Sequence, residues 1–221
     1  MKLLGIVGGI APESTIEYYR LLTAGGVRSM IINSIDLDFM LTLIGDPAAL
    51  ADHLSGEIAR LERAGAEVAL LASNTPHLVF DELRRRASVP MISIVESARD
   101  EAVARGLKRL ALFGTRFTMQ GRVYPDTFRA AGIELVVPEG HEFIHERYMG
   151  ELVKGVFLPE TRERMLAIIE AMKQRDAIDG VVLAGTELPL LLRAESHDGL
   201  PLLDTTRIHV SAAIRAIHET A

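Results

Sequence analysis

The chain has 221 residues, 48% of them hydrophobic and 24% charged, the composition of an ordinary globular protein with room for two small domains. A net charge of -6 argues against a nucleic-acid backbone as partner, since that needs clustered Lys and Arg, and the one basic run, Arg84-Arg85-Arg86, suits a helix end. The absence of cysteine excludes disulfides, thiolate metal sites and thiol nucleophiles, and no apolar run approaches the roughly 18 residues of a membrane span.

Leu3 to Val7 is an apolar run ending in Gly8-Gly9, which reads as a first buried strand rather than a signal peptide, so a cytoplasmic location is expected. The loop Ile10-Ala11-Pro12-Glu13-Ser14-Thr15 then opens a helix, a place where a carboxylate or phosphate can sit, so Gly9 and Ile10 become candidate binding positions. It lacks the G-x-G-x-x-G dinucleotide fingerprint. Val27 to Leu37 reads as a second strand, and Asp46-Pro47 opens a helix running to about Ala64.

Val68 to Ala72 is apolar and ends abruptly in Ser73-Asn74-Thr75-Pro76-His77, with a helix expected from Pro76 to Arg86. Short polar side chains at such a strand end point into the crevice where open α/β sheets bind ligands. Val89 to Val95 reads as a further strand, so the first hundred residues alternate strand and helix and predict a parallel α/β sheet.

From Leu107 the pattern restarts. Leu107-Lys108-Arg109-Leu110-Ala111-Leu112-Phe113-Gly114-Thr115 lies over Met1 to Gly9 without a gap, and Val181 to Ala184 followed by Gly185-Thr186-Glu187 repeats the strand end at Ser73. The offsets, 106 and 112, recur in the same order and point to an internal duplication. A final helix, Arg207 to Glu219, is expected to return to the first half, giving one domain of residues 1–96 plus 208–221 and another of 97–207. Ser73, Asn74, Thr75, Thr186 and Glu187 are the leading ligand contacts, although each residue type also caps helices or suits a first turn. Thr115 and Thr118 stand where the duplicated opening turn falls. His77 is more readily structural than an acid/base group, and Lys154 and His145, nine residues apart, share a helix face at best loosely. His141 and His145 are four apart, but the seven histidines are scattered and no metal is expected.

These pieces resemble the aspartate/glutamate racemase family along nearly the whole chain. Gly8 to Thr15 is similar to its opening loop, Ser73-Asn74-Thr75-Pro76-His77 to its Cys-Asn-Thr-x-His motif, and Ala184-Gly185-Thr186-Glu187 to its Gly-Cys-Thr-Glu motif. His145 with Glu151 to Gly155 resembles the helical segment between them, and Asp204 to His209 the closing motif. The resemblance implies two pseudo-symmetric parallel-sheet α/β domains with the site in the cleft between them, a homodimer, and racemisation of a small amino acid without a cofactor. In that family two opposed thiols remove and return the α-proton. Here Ser73 and Gly185 hold both cysteine positions, so the two-thiol mechanism is impossible, and Glu187 is the remaining candidate acid/base group.

The arginine that some members of that family bring from the loop after the second strand is also missing from Asp36 to Thr42, which leaves Lys154 as the candidate carboxylate partner. The expected function is isomerase-like acid/base chemistry on a small amino acid or carboxylate. The alternatives are a lyase or decarboxylase, which needs one proton transfer, and a non-catalytic small-carboxylate-binding protein.

Overall fold

The computed structural model describes residues 1–219 and divides into two compact units, Met1–Ile94 with the chain from His209 onward, and Val95–Ile208. The first unit runs β1 (Leu4–Gly8), α1 (Pro12–Ala24), β2 (Met30–Ser34), α2 (Leu37–Leu43), α3 (Pro47–Arg63) and β3 (Val68–Leu71). A 3-10 turn (Thr75–Val79), α4 (Phe80–Arg86) and β4 (Met91–Ile92) follow. The second unit begins within α5 (Ile94–Ala104) and continues through β5 (Arg109–Gly114), α6 (Arg116–Met119), α7 (Val123–Arg129) and β6 (Glu134–Val136). Then come α8 (His141–Gly150), a 3-10 turn (Leu152–Lys154), α9 (Pro159–Asp176), β7 (Gly180–Ala184) and α10 (Leu188–Leu191). The chain closes with β8 (Ser196–His197), β9 (Leu200–Asp204) and α11 (Thr205–His218), whose later residues belong to the first unit.

The first sheet has the order β2-β1-β3-β4 and is wholly parallel. The second has the order β6-β5-β7-β9-β8, parallel except for the β8–β9 pair, which turns through Asp198 and Gly199, both at positive φ. With the antiparallel β8 set aside, the four parallel strands of each chain half are therefore laid down in the same order.

Period-2 alternation sorts the strands of the first unit between two cores. Leu4, Ile6, Val68 and Leu70 pack with Tyr18 and Leu22 of α1 and with Val210, Ala213 and Ile217 of α11. Val7, Ala69 and Leu71 pack with Leu54, Ile58 and Leu61 of α3 and Leu83 of α4. Each fully buried Leu or Ile contributes about 1.5–3 kcal/mol, so these central strands need covering on both faces. In the second unit, Leu110 to Phe113 and Val181 to Ala184 are buried throughout.

Several element boundaries differ from the sequence expectation. The second strand stops at Ser34, because the Asp36 carboxylate accepts from the Phe39 amide (3.0 Å) and caps α2. The helix expected from Pro76 is instead a 3-10 turn that becomes α-helical only at Phe80. β4 is two residues long, since Pro90 has no donor and the Ile94 amide is taken by His77 Nε2 at the start of α5. The last helix begins at Thr205, ahead of the expected Arg207. Lys154 and His145 share no helix, because α8 ends at Gly150 and Lys154 closes a separate 3-10 turn.

Candidate functional site

In the first unit, two loops leave the carboxyl ends of neighbouring strands β1 and β3. Gly9 has φ +84°, and an added Cβ would lie 2.4 Å from the Ile35 carbonyl oxygen, so only glycine fits. Its amide donates to Thr15 Oγ1 (2.8 Å), while the Ile10 side chain enters the core with α3 and α4. Ala11 sits at φ +70°, an uncommon conformation for a residue with a Cβ, directly before Pro12 opens α1. Buried Ser14, which the sequence pattern did not single out, lies 2.8 Å from the Ala11 carbonyl and 3.3 Å from that of Ala72, and so ties this loop to the residue before Ser73. Ser73 and Asn74 are buried and Thr75 is partly exposed.

His77 holds the β3 loop in place. Its Nε2 accepts from the Ile94 amide (3.2 Å), which leaves the proton on Nδ1 to be donated to the Ser73 carbonyl (3.0 Å). His209 is fixed in the same way: Tyr18 Oη donates to Nδ1 (2.7 Å), and Nε2 donates to the Ile92 carbonyl (3.0 Å). Both imidazoles are neutral and fully committed, so His77 positions Ser73 without serving as its base. Burial, reinforced by the neighbouring His209, lowers the His77 pKa well below 6.5. Burial lowers His209 to about 4.

A histidine with a depressed folded-state pKa binds its proton later than the unfolded chain does. The stability it contributes is therefore complete above pH 6.5 and is lost as pH falls towards about 4. For His209 alone the loss is on the order of 3 kcal/mol. Urea unfolding is expected to show falling stability between pH 6.5 and 5, with a flatter profile in His209→Gln; equal profiles would overturn the assignment.

In the second unit, β5 and β7 are neighbours with Gly114 opposite Ala184, so the loops beginning at Thr115 and Gly185 emerge side by side. A Cβ on Gly114 would lie 2.7 Å from the Ala184 carbonyl oxygen, and Thr115 and Thr118 are buried with their hydroxyls 3.2 Å apart. One face of α8 serves both loops. His145 Nδ1 lies 3.2 Å from the Arg116 amide and Nε2 lies 3.1 Å from the Arg116 guanidinium. One turn later, Tyr148 reaches the other loop.

Tyr148 is a further residue that sequence reasoning missed. A Cβ built on Gly185 would stand 2.4 Å from Tyr148 Cε2 and 3.1 Å from its hydroxyl oxygen, so the ring fills the place of the side chain that Gly185 lacks. The hydroxyl donates to Glu187, which is 1% exposed and also accepts from the Thr186 hydroxyl at 3.0–3.1 Å. Burial, and then the Glu187 carboxylate, holds the Tyr148 pKa well above 10. At neutral pH it is a phenol with its proton aimed at a carboxylate. The only sequence signal was its i+3 spacing from His145.

Lys154 is exposed, and the structure draws it into none of these contacts. His141-Glu142-Phe143-Ile144-His145 does carry the spacing of a helix-borne zinc pair. His141 Nε2, however, faces Gln120 (3.0 Å) and His145 faces Arg116. Among the described residues, no three His, Asp or Glu side chains cluster as a metal site.

Two predominantly parallel sheets in a duplicated order, with polar loops at matching strand ends, define an α/β protein of the racemase type. The chain belongs to the Asp/Glu/Hydantoin racemase family, whose model matches residues 7–213. It is 23% identical over 217 residues to the broad specificity amino-acid racemase RacX of Bacillus subtilis (strain 168), covering 92% of this chain and 93% of that one. An aspartate racemase homologue of Pyrococcus horikoshii OT3 superposes with a TM-score of 0.84 and 33% identity over 99% of this chain and 100% of that one. Picrophilus torridus aspartate racemase shares the fold, with a TM-score of 0.78 at 20% identity over 100% and 96% of the two chains.

Proposed function

We propose that this protein is a cofactor-independent isomerase of a small amino acid or carboxylate in which Tyr148 and Glu187 do the work of a thiol. The observation that carries this reading is the Tyr148 ring standing where a Gly185 side chain would be, its hydroxyl bonded to Glu187. In the proposed step the phenol oxygen takes the α-proton while passing its own proton to Glu187. The C–H electron pair stays on carbon, Glu187 becomes neutral, and the reverse transfer reprotonates the carbanion. Buried carboxylate and phenol are suited to this relay because neither loses hydration when substrate arrives. Ser73, Asn74, Thr75, Thr115, Thr118 and Thr186 supply ligand contacts in this reading, with Gly9 and Ile10 contributing backbone only.

Inversion also needs a group on the opposite face. Ser73, at the other thiol position of the family motif, has a neighbouring imidazole that is already bonded at both nitrogens. That observation favours a second reading, a lyase or decarboxylase using one proton transfer.

The test is incubation with enantiopure aspartate, glutamate and neutral amino acids, followed by chiral chromatography and mass analysis. Appearance of the opposite enantiomer supports the isomerase, and a product of changed mass supports the second reading. Neither product, together with a ligand-induced rise in Tm, would make the chain a binding protein.

A further inference from the structure

We infer that Arg116 with His145 is an anion subsite that reads the distal carboxylate of the ligand and so sets the preference for acidic over neutral amino acids. The inference rests on the function proposed above and concerns the same strand ends. Its starting point is an unfulfilled pair of contacts. The Arg116 amide faces His145 Nδ1 at 3.2 Å, and the Arg116 guanidinium faces Nε2 at 3.1 Å. A neutral imidazole has one acceptor nitrogen, and an arginine has only donors. Whichever nitrogen of His145 carries the proton therefore meets an N–H of Arg116.

The backbone amide is fixed at the start of α6, so it takes Nδ1, and Nε2–H is left pointing at the guanidinium. A carboxylate oxygen entering there accepts from both and turns two opposed donors into a two-point clamp. Arg116 is exposed and makes no ion pair among the described residues, whereas Arg147 on the same helix as His145 is paired with Glu151 at 2.8 Å. Its charge is available to a ligand.

The placement suits a second acidic group. His145 and Tyr148 are three residues apart on one face of α8, a rise of about 4.5 Å along the helix, so the helix that holds the phenol also faces Arg116. Thr115 and Thr118 flank Arg116 in the sequence, at the cap and within α6, with their hydroxyls 3.2 Å apart. The segment after β2, Asp36 to Thr42, carries no cation.

The experiment titrates wild type, Arg116→Met, Arg116→Lys and His145→Gln with aspartate, succinate and alanine by calorimetry, alongside α-proton exchange of aspartate and alanine in deuterium oxide. Arg116→Met is expected to weaken aspartate and succinate by about 10–100-fold, the loss of a charge-assisted clamp. Alanine binding and the ligand-free Tm stay unchanged. Arg116→Lys recovers part of the loss, and the KM for aspartate rises in Arg116→Met while kcat holds. Aspartate or succinate binding that is equal in wild type and Arg116→Met, or undetectable in wild type, overturns the inference. Arg116-dependent succinate binding without any exchange keeps the subsite and removes the isomerase. Exchange indifferent to Arg116 keeps the isomerase and removes the subsite.

Discussion

Glu187→Gln is expected to lower turnover by about 10²–10⁴-fold, the usual contribution of a positioned acid/base group. The substitution keeps the shape of the side chain and an oxygen for Tyr148 to bond, but it removes the charge that receives the phenol proton in the proposed relay. Tyr148→Phe is expected to cost about as much, because it deletes the oxygen proposed to meet the substrate. The double variant should be no slower than the worse single one, since the two residues act as one unit. Steady-state kcat on the preferred substrate checks this, and multiplicative losses would show two independent roles. A folding defect is separated by Tm: Tyr148→Phe removes one buried hydrogen bond, worth about 1.5–3 kcal/mol to a charged acceptor.

The second large effect is on stability. Restoring a side chain at Gly185 drives a Cβ to 2.4 Å from a ring that is buried and held by Glu187. Gly185→Cys is expected to destabilise the protein by about 1–3 kcal/mol through overpacking. Tyr148→Ala costs about 3–5 kcal/mol on its own by opening a cavity. Combined, they relieve each other, because the new thiol enters the space the ring has left. The double variant should be more stable than the sum of the singles by about 0.5–3 kcal/mol, measured by urea unfolding. Simple additivity would mean that the ring and position 185 do not compete for the same volume.

Much of this was legible in the sequence. The apolar runs at Leu3, Val68, Leu107 and Val181 became central strands, because burial on both faces leaves a continuous hydrophobic signal. Asp46-Pro47 opened α3 as its capping chemistry required, with the Asp46 carboxylate accepting from the Ala48 and Ala49 amides. The family was legible from five motifs in order. The short elements were not. β4 and the 3-10 turn at Thr75 owe their form to tertiary bonds from His77, which no local pattern announces. The same limit hid Tyr148, since its significance lies in a missing side chain 37 residues away, and Arg116, whose proposed role rests on the imidazole it faces.

The measurement that bears most directly on the central claim is the α-proton NMR signal of aspartate, glutamate and alanine incubated with the protein in deuterium oxide. Loss of that signal above a protein-free control, absent in Tyr148→Phe protein of unchanged fold, is the result expected if Tyr148 and Glu187 replace a thiol at carbon. Full retention of the signal with every substrate, or undiminished exchange in Tyr148→Phe, would contradict it.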